Sequence, residues 1–395
     1  MSILSGIFSG AKKENKLALV FDFGSSSVGG ALFLIQKSKV PKIIFSVREP
    51  IILEDKVNPD RFLSLTIKAL EIVASKICLA GFGAPKEIFC VLSSPWYASQ
   101  TRHIKFQKNT PFVFNSKLAD DLIQKEMNLF KEEHLSGYVN SGNKVRQIEL
   151  KSMKIVLNGY FTSKPIDQTA KELEMMIFIS MSGEQVLEKI EEVVFHHFHL
   201  RNIKYSSFVI TSFSVARDLF VQHEDFLLID IGGEITDISM IKRDALRESV
   251  SFPLGRNFMV RGVASLLKCT LVEAKSLLSL YKDGHAEIGT LKKLEPIVNK
   301  LKTEWLKDFQ KSLANLSNDI SIPAIIFITV DQDLAEFFSE IIKTEQFSQY
   351  TLAESKFQVI FLDTKTLHGA AIFEENIIRD PFLIIEAIYI NRFLC

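Results

Sequence analysis

Two short turns carry the residue types best suited to bind phosphate. The first lies within residues 22–28 and the second within residues 230–237. Each begins with an aspartate at the end of an apolar run and continues through glycine and hydroxyl side chains. Successive backbone N–H groups in such a turn form a concave anion site, and glycine lets phosphate oxygens approach the backbone. The pattern therefore predicts a pair of phosphate-binding turns.

The aspartates and the small residues beside them form the predicted binding set. Asp22 and Asp230 are predicted to hold Mg²⁺ through water, because Mg²⁺ keeps much of its hydration shell in proteins. A single Asp-x-Gly hairpin is common without any ligand, but two copies in matching strand contexts strengthen the signal. The predicted phosphate and metal contacts are Asp22, Gly24, Ser25, Ser26, Ser27, Asp230, Gly232, Gly233 and Thr236.

The elements around the first turn recur around the second. Apolar runs at 17–23, 28–35 and 42–48 predict three strands, and apolar residues at helical spacing predict a helix over 59–78. The strand-turn-strand opening returns at 226–242. A duplicated unit of this kind indicates two related α/β domains.

The segment between the two units has a different character. Alternating apolar and polar residues within 96–181 are typical of a small antiparallel sheet with one solvated face. We predict a first domain at 17–95 and 182–215, an inserted α+β subdomain at 96–181, and a second domain at 216–395. Residues 1–16 precede the first domain as a separate segment.

In the second half of the chain, the further predicted elements include a short strand and two long helices. The apolar residues at 208–210 indicate a short strand, and two long helices are expected over 259–281 and 291–315.

Composition excludes several classes of protein. The chain has 395 residues, with 47 basic and 47 acidic side chains, and this balance argues against a nucleic-acid partner. Its 4 cysteines are too few and too scattered for a disulfide framework or a structural zinc site. No uninterrupted apolar stretch approaches the roughly 20 residues that a membrane-spanning helix needs. These features predict a cytoplasmic protein.

At the two turns the sequence resembles the actin-like ATPase superfamily, in particular the FtsA and PilM group. The phrase DFGSSSVGGAL, starting at Asp22, is similar to the first phosphate motif, and DIGGEITDISMI, starting at Asp230, is similar to the second. The likeness covers residues 17–375. It implies duplicated, ribonuclease-H-like α/β domains that bind ATP and Mg²⁺ across a cleft. The insert at 96–181 corresponds to the group's SHS2 module.

Three positions depart from that family pattern. The adenosine-side turn at 330–333 has no glycine, so its side chains would crowd the purine or ribose. Glu234 replaces the third glycine of the second motif and brings a carboxylate near the phosphates. Glu273 is expected to reach the ribose, but the usual basic partner one turn later is missing. The pattern favours nucleotide binding with at most slow hydrolysis.

The N-terminal segment is a candidate for membrane contact. Ile3, Leu4, Ile7 and Phe8 share one face of a helical projection, and basic residues follow them. An apolar face beside basic residues can dock at an anionic lipid surface, here through residues 1–13. The alternative is a frayed terminus.

The resemblance implies a cytoplasmic, nucleotide-responsive scaffold that is peripheral at the inner membrane. The FtsA-like form would tether a cell-division filament, with membrane-associated division proteins as partners and self-assembly into a homo-oligomer or filament. The PilM-like form would bind a membrane protein of type IV pilus assembly. Two alternatives remain, a nucleotide-free adaptor that keeps the fold for its surfaces and, less favoured, a small-molecule kinase of the same superfamily.

Overall fold

The structure, a computed structural model, describes residues 16–36, 40–140, 142–316, 321–330, 335–344 and 357–395. Its strands are β1 (Lys16–Phe23), β2 (Ser27–Ile35), β3 (Lys42–Pro50), β4 (Glu87–Leu92), β5 (Ala98–Phe114), β6 (Val145–Leu157), β7 (Tyr160–Phe161), β8 (Gln168–Gly183), β9 (Ile203–Ser207), β10 (Phe226–Ile231), β11 (Thr236–Lys242), β12 (Ala245–Phe252), β13 (Ile325–Val330), β14 (Gln358–Phe361) and β15 (Ile372–Phe373). Its helices are α1 (Pro59–Leu79), α2 (Ser116–His134), α3 (Ser136–Asn140), α4 (Glu184–Phe198), α5 (Phe208–Leu219), α6 (Arg256–Leu267), α7 (Leu271–Lys282), α8 (Ile288–Leu316), α9 (Ala335–Thr344) and α10 (Pro381–Tyr389).

The first domain is built on a sheet with the strand order β15-β3-β2-β1-β4-β9. β1, β2 and β3 pair antiparallel, while β4 and β9 continue the sheet in parallel. Successive side chains of a strand point to opposite faces, so Leu19 and Phe21 pack under α1 and α4. Ala18 and Val20 pack against α5 and α10 on the other face. Helices therefore cover both faces, which explains the almost fully apolar β1.

The second domain repeats this plan. Its sheet has the order β12-β11-β10-β13-β14, again with three antiparallel strands followed by two parallel ones. Leu227 and Ile229 pack against α6, α7, α8 and α9. Phe226 and Leu228 share a core with α5 and with the first sheet, so one continuous apolar core joins the two domains.

The insert forms its own layer. Its sheet has the order β5-β8-β6-β7 with antiparallel pairs, and α2 covers one face through Phe130. Leu173 and Met175 of β8 are also buried in this core. Because β5 and β8 are directly continuous with the first domain, the insert is held at two points rather than one.

Two predicted elements differ from the structure. The predicted strand at 208–210 is the beginning of α5, because this apolar run is buried on every side and its periodicity cannot distinguish strand from helix. The helix predicted over 259–281 is two helices. Lys268 adopts a left-handed conformation with φ 54° and ends α6, and Thr270 starts α7 with a capping box.

The chain also returns to the first domain near its end. β15 pairs with β3, and α10 packs on the first sheet. The predicted second domain, 216–395, therefore contains a final part that the structure places with the first sheet.

No helix within the described ranges combines the length and the apolar character required to cross a bilayer. The predicted membrane-contact segment, residues 1–13, lies outside the described residues.

Candidate functional site

The two predicted turns face one another and are in direct contact. The first connects β1 to β2 and the second connects β10 to β11. The backbone N–H of Glu234 donates to Ser25 Oγ over 3.0 Å. A Cβ atom on Gly233 would lie 2.7 Å from the Ser25 carbonyl oxygen, and one on Gly232 would lie 2.9 Å from Ser25 Oγ. Glycine is therefore needed here for the approach of the two turns to each other.

Glu234 places a carboxylate beside this contact, and neighbouring side chains neutralise it. Arg261 of α6 donates to Oε2 over 2.6 Å and to Oε1 over 2.9 Å. Asn257 Nδ2 donates to Oε1 over 2.7 Å. A two-pronged guanidinium–carboxylate pair is among the stronger charge-assisted contacts in proteins. The carboxylate predicted to repel phosphates is thus held by the protein itself.

The second turn is further fixed by the start of α6. The N–H of Gly255 donates to the Glu234 carbonyl, that of Arg256 to the Gly232 carbonyl, and that of Asn257 to the Gly233 carbonyl. A helix N-terminus has free N–H groups, and here the turn supplies their acceptors. These donors are therefore not directed at the gap between the two turns.

Asp22 lies in an ion pair away from the contact between the turns. Its side chain is 2% exposed, and Arg48 NH2 donates to Oδ2 over 2.6 Å. Arg48 NH1 also donates to Ser27 Oγ over 2.9 Å. Gly29 of β2 lies between Asp22 on β1 and Arg48 on β3, and a Cβ on Gly29 would be 2.8 Å from Arg48 NH2. The glycine thus lets the guanidinium reach across one strand to Asp22.

Two further carboxyl groups from the C-terminal helix complete this cluster. Asp380 caps α10 and accepts hydrogen bonds from Arg48. Glu386 is fully buried, and burial together with the charge of Asp22 raises its pKa well above the ordinary range. Burial also raises the pKa of Asp22, against the opposing effect of Arg48. The surroundings of Glu386 therefore favour its neutral form, while Arg48 pairs with both Asp22 and Asp380.

Asp230 and Thr236, which the sequence also predicts as site residues, form hydrogen bonds within the protein. Asp230 Oδ1 accepts a hydrogen bond from Thr329 Oγ1 over 2.7 Å, and its side chain is half-buried. Thr236 is fully buried, and its hydroxyl donates to the Leu254 carbonyl over 2.8 Å. The Trp305 indole donates to Thr236 Oγ1. Thr236 thus fastens β11 to α8 below the turn.

Gly24 and Ser26 form hydrogen bonds through their backbone groups. The Gly24 N–H donates to the Ser27 carbonyl and closes the first turn, while the Ser26 carbonyl accepts from Ile51 after β3. The structure therefore brings Ser25, Ser26, Gly232 and Gly233 to one contact, and it places Ser27 beside Arg48.

Glu273 caps the start of α7 together with Thr270. Its carboxylate accepts hydrogen bonds from the Thr270 N–H over 2.8 Å and from the Thr270 hydroxyl over 2.9 Å. The hydrogen bond from the backbone lowers the pKa of this exposed carboxyl group. Its predicted contact with a ribose stays a prediction. Of the adenosine-side turn at 330–333, Val330 ends β13 and residues 331–333 lie outside the described residues.

Little space remains between the two turns. A cavity of about 10 Å³ borders Ser25 and Glu234, and most of its lining comes from residues 51–65. A second cavity, of about 150 Å³, lies beside Ser26 and includes Arg256, Lys275 and Lys282 in its lining. Ligand sites for small molecules usually measure roughly 300–1,000 Å³. A nucleotide between the turns would therefore require them to separate.

A larger cavity opens on the other side of Glu234 and Arg261. We call it the apolar pocket; its volume is about 680 Å³. It lies where the start of α1, the insert, α4, the second turn and α6 meet. Its apolar lining consists of Val57, Pro59, Phe62, Leu63, Pro95, Trp96, Tyr138, Val186, Ile235, Pro253 and Phe258. Phe62 and Trp96 stack with ring centroids 4.9 Å apart, which gives this wall a flat aromatic face.

The described side chains do not fit the Mg²⁺ that the actin-like resemblance implies. Asp22 is buried in an ion pair with Arg48, so its carboxylate faces a guanidinium instead of a hydrated metal. Among the residues that the structure describes, no group of three or more His, Cys, Asp or Glu side chains could hold a metal ion. The carboxylate set predicted for Mg²⁺ is thus used in contacts within the protein.

Several residues that shape this site were missed by the sequence analysis. Arg48, Asp380 and Glu386 come from β3 and α10, far apart in sequence, and no local motif connects them to Asp22. Arg261 lies one turn after Asn257 on α6. A carboxylate at Glu234 in a phosphate motif indicates that a basic partner is needed, but the sequence does not indicate that Arg261 is that partner.

Comparison with known proteins finds similar solved structures. No protein-family model matches the sequence, and no curated protein matches it. A solved structure of a PilM–PilN type IV pilus biogenesis complex has a TM-score of 0.60 at 12% identity, covering 95% of this chain and 96% of that chain.

Two other solved structures give lower scores. The ethanolamine utilization protein EutJ from Carboxydothermus hydrogenoformans has a TM-score of 0.41 at 9% identity, covering 96% of this chain and 90% of that chain. A Bacteroides thetaiotaomicron protein of unknown function with an actin-like ATPase fold has a TM-score of 0.35 at 10% identity, covering 88% of this chain and 91% of that chain. The repeated strand order, the facing turns and the similarity to the PilM–PilN structure show that this chain has the actin-like ATPase fold.

Proposed function

We propose that this protein is a cytoplasmic scaffold at the inner membrane face, which binds a segment of a membrane-associated partner in the apolar pocket. The observation that carries the proposal is the pocket itself, about 680 Å³ of mainly apolar surface where three parts of the fold meet. Its volume lies within the roughly 300–1,000 Å³ of ordinary ligand sites. A short apolar peptide segment, held in a groove between domains, suits that size and lining.

The closed contact between the turns supports a scaffold rather than an enzyme. Fast hydrolysis requires phosphates and a metal between the turns, and there Gly233 lies directly against Ser25 and Ser26. ATP with Mg²⁺ would have to separate the turns and free Arg261 from Glu234 before it could bind, so it has no part in this proposal. The nucleotide-free form of the scaffold is therefore the form that the geometry supports best.

Two membrane assemblies fit this proposal. In an FtsA-like role the protein would tether or organise a cell-division filament, with self-association into a homo-oligomer. In a PilM-like role it would bind the cytoplasmic end of a membrane protein of type IV pilus assembly. The motif starting at Asp230 is similar to that of both groups, and the motif starting at Asp22 is similar to that of PilM. In either role we assign the insert to the SHS2 type, on its position between the two halves of the first domain.

The experiment measures peptide binding. Fluorescently labelled peptides from the cytoplasmic segments of the division and pilus-assembly membrane proteins of the same genome are titrated with the full chain. Val57 lies on the rim of the apolar pocket and is 52% exposed, so Val57→Asp places a charge there at little cost to folding. Val221→Asp is the matched control, because Val221 is 76% exposed and lies outside the lining.

We expect at least one peptide to bind, with affinity reduced about tenfold by Val57→Asp and unchanged by Val221→Asp, since burying an unpaired charge costs more than 1 kcal/mol. The class of peptide that binds then distinguishes division from pilus assembly. Failure of every peptide to bind, or equal binding by Val57→Asp, would contradict the proposal.

A further inference from the structure

We infer that Glu234 and Arg261 form a clamp between the two domains, which closes the cleft with the protein's own charges and makes closure independent of bound phosphate. Glu234 lies in the second turn and Arg261 in α6, both in the second domain. The clamp reaches the first domain through two separate contacts, one from each residue.

The first contact is made by Arg261. Its two terminal nitrogens hold the Glu234 carboxylate, and its Nε donates to the Glu54 carbonyl over 2.8 Å. Glu54 follows β3 and belongs to the first domain. A guanidinium presents its donors in a fixed fork, so the orientation that satisfies Glu234 also directs Nε at Glu54. One side chain thus connects the second turn to the first domain.

The second contact is made by the Glu234 backbone. Its N–H donates to Ser25 Oγ in the first turn over 3.0 Å. Because Glu234 is fixed at its carboxylate by Arg261 and Asn257, this N–H is held at the position that Ser25 requires. Carboxylate, guanidinium and turn therefore form one chain of contacts across the cleft.

The ion pair between Glu234 and Arg261 is largely removed from water. The side chains of Arg261 and Glu234 are 21% and 13% exposed. Ion pairs at fully exposed positions contribute little because water screens them, whereas a pair that is mostly removed from water is screened less. A phosphate-bearing ligand entering between the turns would have to compete with Glu234 for Arg261. In the absence of such a ligand the carboxylate keeps the cleft closed.

Hydrogen–deuterium exchange tests the clamp without partner or nucleotide, so its result is separate from that of the peptide titration. The full chain and an Arg261→Ala variant are compared at peptides containing Ser25 and Glu234. We expect exchange at both turns to rise roughly fivefold or more, since losing about one kcal/mol of local stability multiplies the open population by that factor.

Arg102→Ala provides the matched control. Arg102 is 14% exposed and pairs with Glu126 and Glu133, but all three lie in the insert. This variant should leave exchange at both turns unchanged. Glu234→Gln, which keeps the shape and removes the charge, is the second variant and should also raise exchange if Arg261→Ala does not fold. Unchanged exchange in the folded clamp variants, or an equal rise in Arg102→Ala, would overturn the inference.

Discussion

Asp22 shows how a phosphate-motif residue can be used inside the protein. The same aspartate that predicts metal binding from sequence accepts a hydrogen bond from Arg48 and lies next to Glu386. A buried carboxylate needs a cation or a proton donor, and the chain supplies both from other strands and helices. Gly29 is the one local signal, since only a residue without a side chain leaves room for Arg48 there.

We expect Glu386→Gln to be more stable than the wild type at neutral pH. A carboxyl group whose pKa is raised by folding contributes stability while protonated and loses it as pH rises from the unfolded value of 4.5. Asp22, Arg48 and Asp380 are the charged groups that act on Glu386, and all three side chains remain in the variant. The stability difference between variant and wild type should therefore grow with pH above 4.5, by at most about 1.4 kcal/mol per pH unit.

Urea unfolding between acidic and mildly basic pH measures this difference. Glu375→Gln is the control, because Glu375 is exposed on the surface and should show no such trend. A difference for Glu386→Gln that stays constant across the pH range would show that Glu386 is already ionised in the folded protein.

Among the elements, α6 positions the second turn through its first residues. Gly255 lies so close to the turn that a Cβ would be 2.4 Å from the Gly233 carbonyl oxygen and 2.5 Å from that of Gly232. Both neighbours are backbone atoms, so they cannot move aside as a flexible side chain would. The start of this helix is therefore fixed to the turn by steric fit and by hydrogen bonds.

Gly255→Ala should accordingly destabilise the protein by about 1–3 kcal/mol, the usual cost of forcing an extra methyl group into a packed site. Gly289→Ala in α8 is the matched control, since a Cβ there meets nothing within 4 Å. Alanine favours a helix over glycine, so this control should be neutral or stabilising by up to about 1 kcal/mol. Equal unfolding midpoints in urea for Gly255→Ala and the wild type would contradict the steric argument.

The elements also show where sequence patterns lose information. The structure starts α7 with a capping box of Thr270 and Glu273, whereas the continuous apolar pattern predicts one long helix over 259–281. The break depends on Lys268 in a left-handed conformation, which lysine rarely adopts without packing around it. For α5, burial on all sides removed the periodicity that separates helix from strand.

For the molecule as a whole, the two turns and their flanking strands were enough to predict the actin-like ATPase fold, and the structure confirms it. The prediction succeeded because the repeated unit is local, with each turn joining adjacent strands. The return of β15 and α10 to the first sheet depends on contacts between distant parts of the chain, such as Ile372 with Lys42. For the same reason the clamp was not predicted, since it depends on how the domains meet.

Thermal unfolding with and without millimolar Mg-ATP tests the central claim most directly, that the cleft is closed by the protein's own charges. A ligand at 100 times its dissociation constant would add about 2.7 kcal/mol to the unfolding free energy, which shifts the midpoint by a few degrees. We expect no resolvable shift for the wild type. A shift of a few degrees that disappears in Asp230→Ala would contradict this account, because it would place the nucleotide between the two turns.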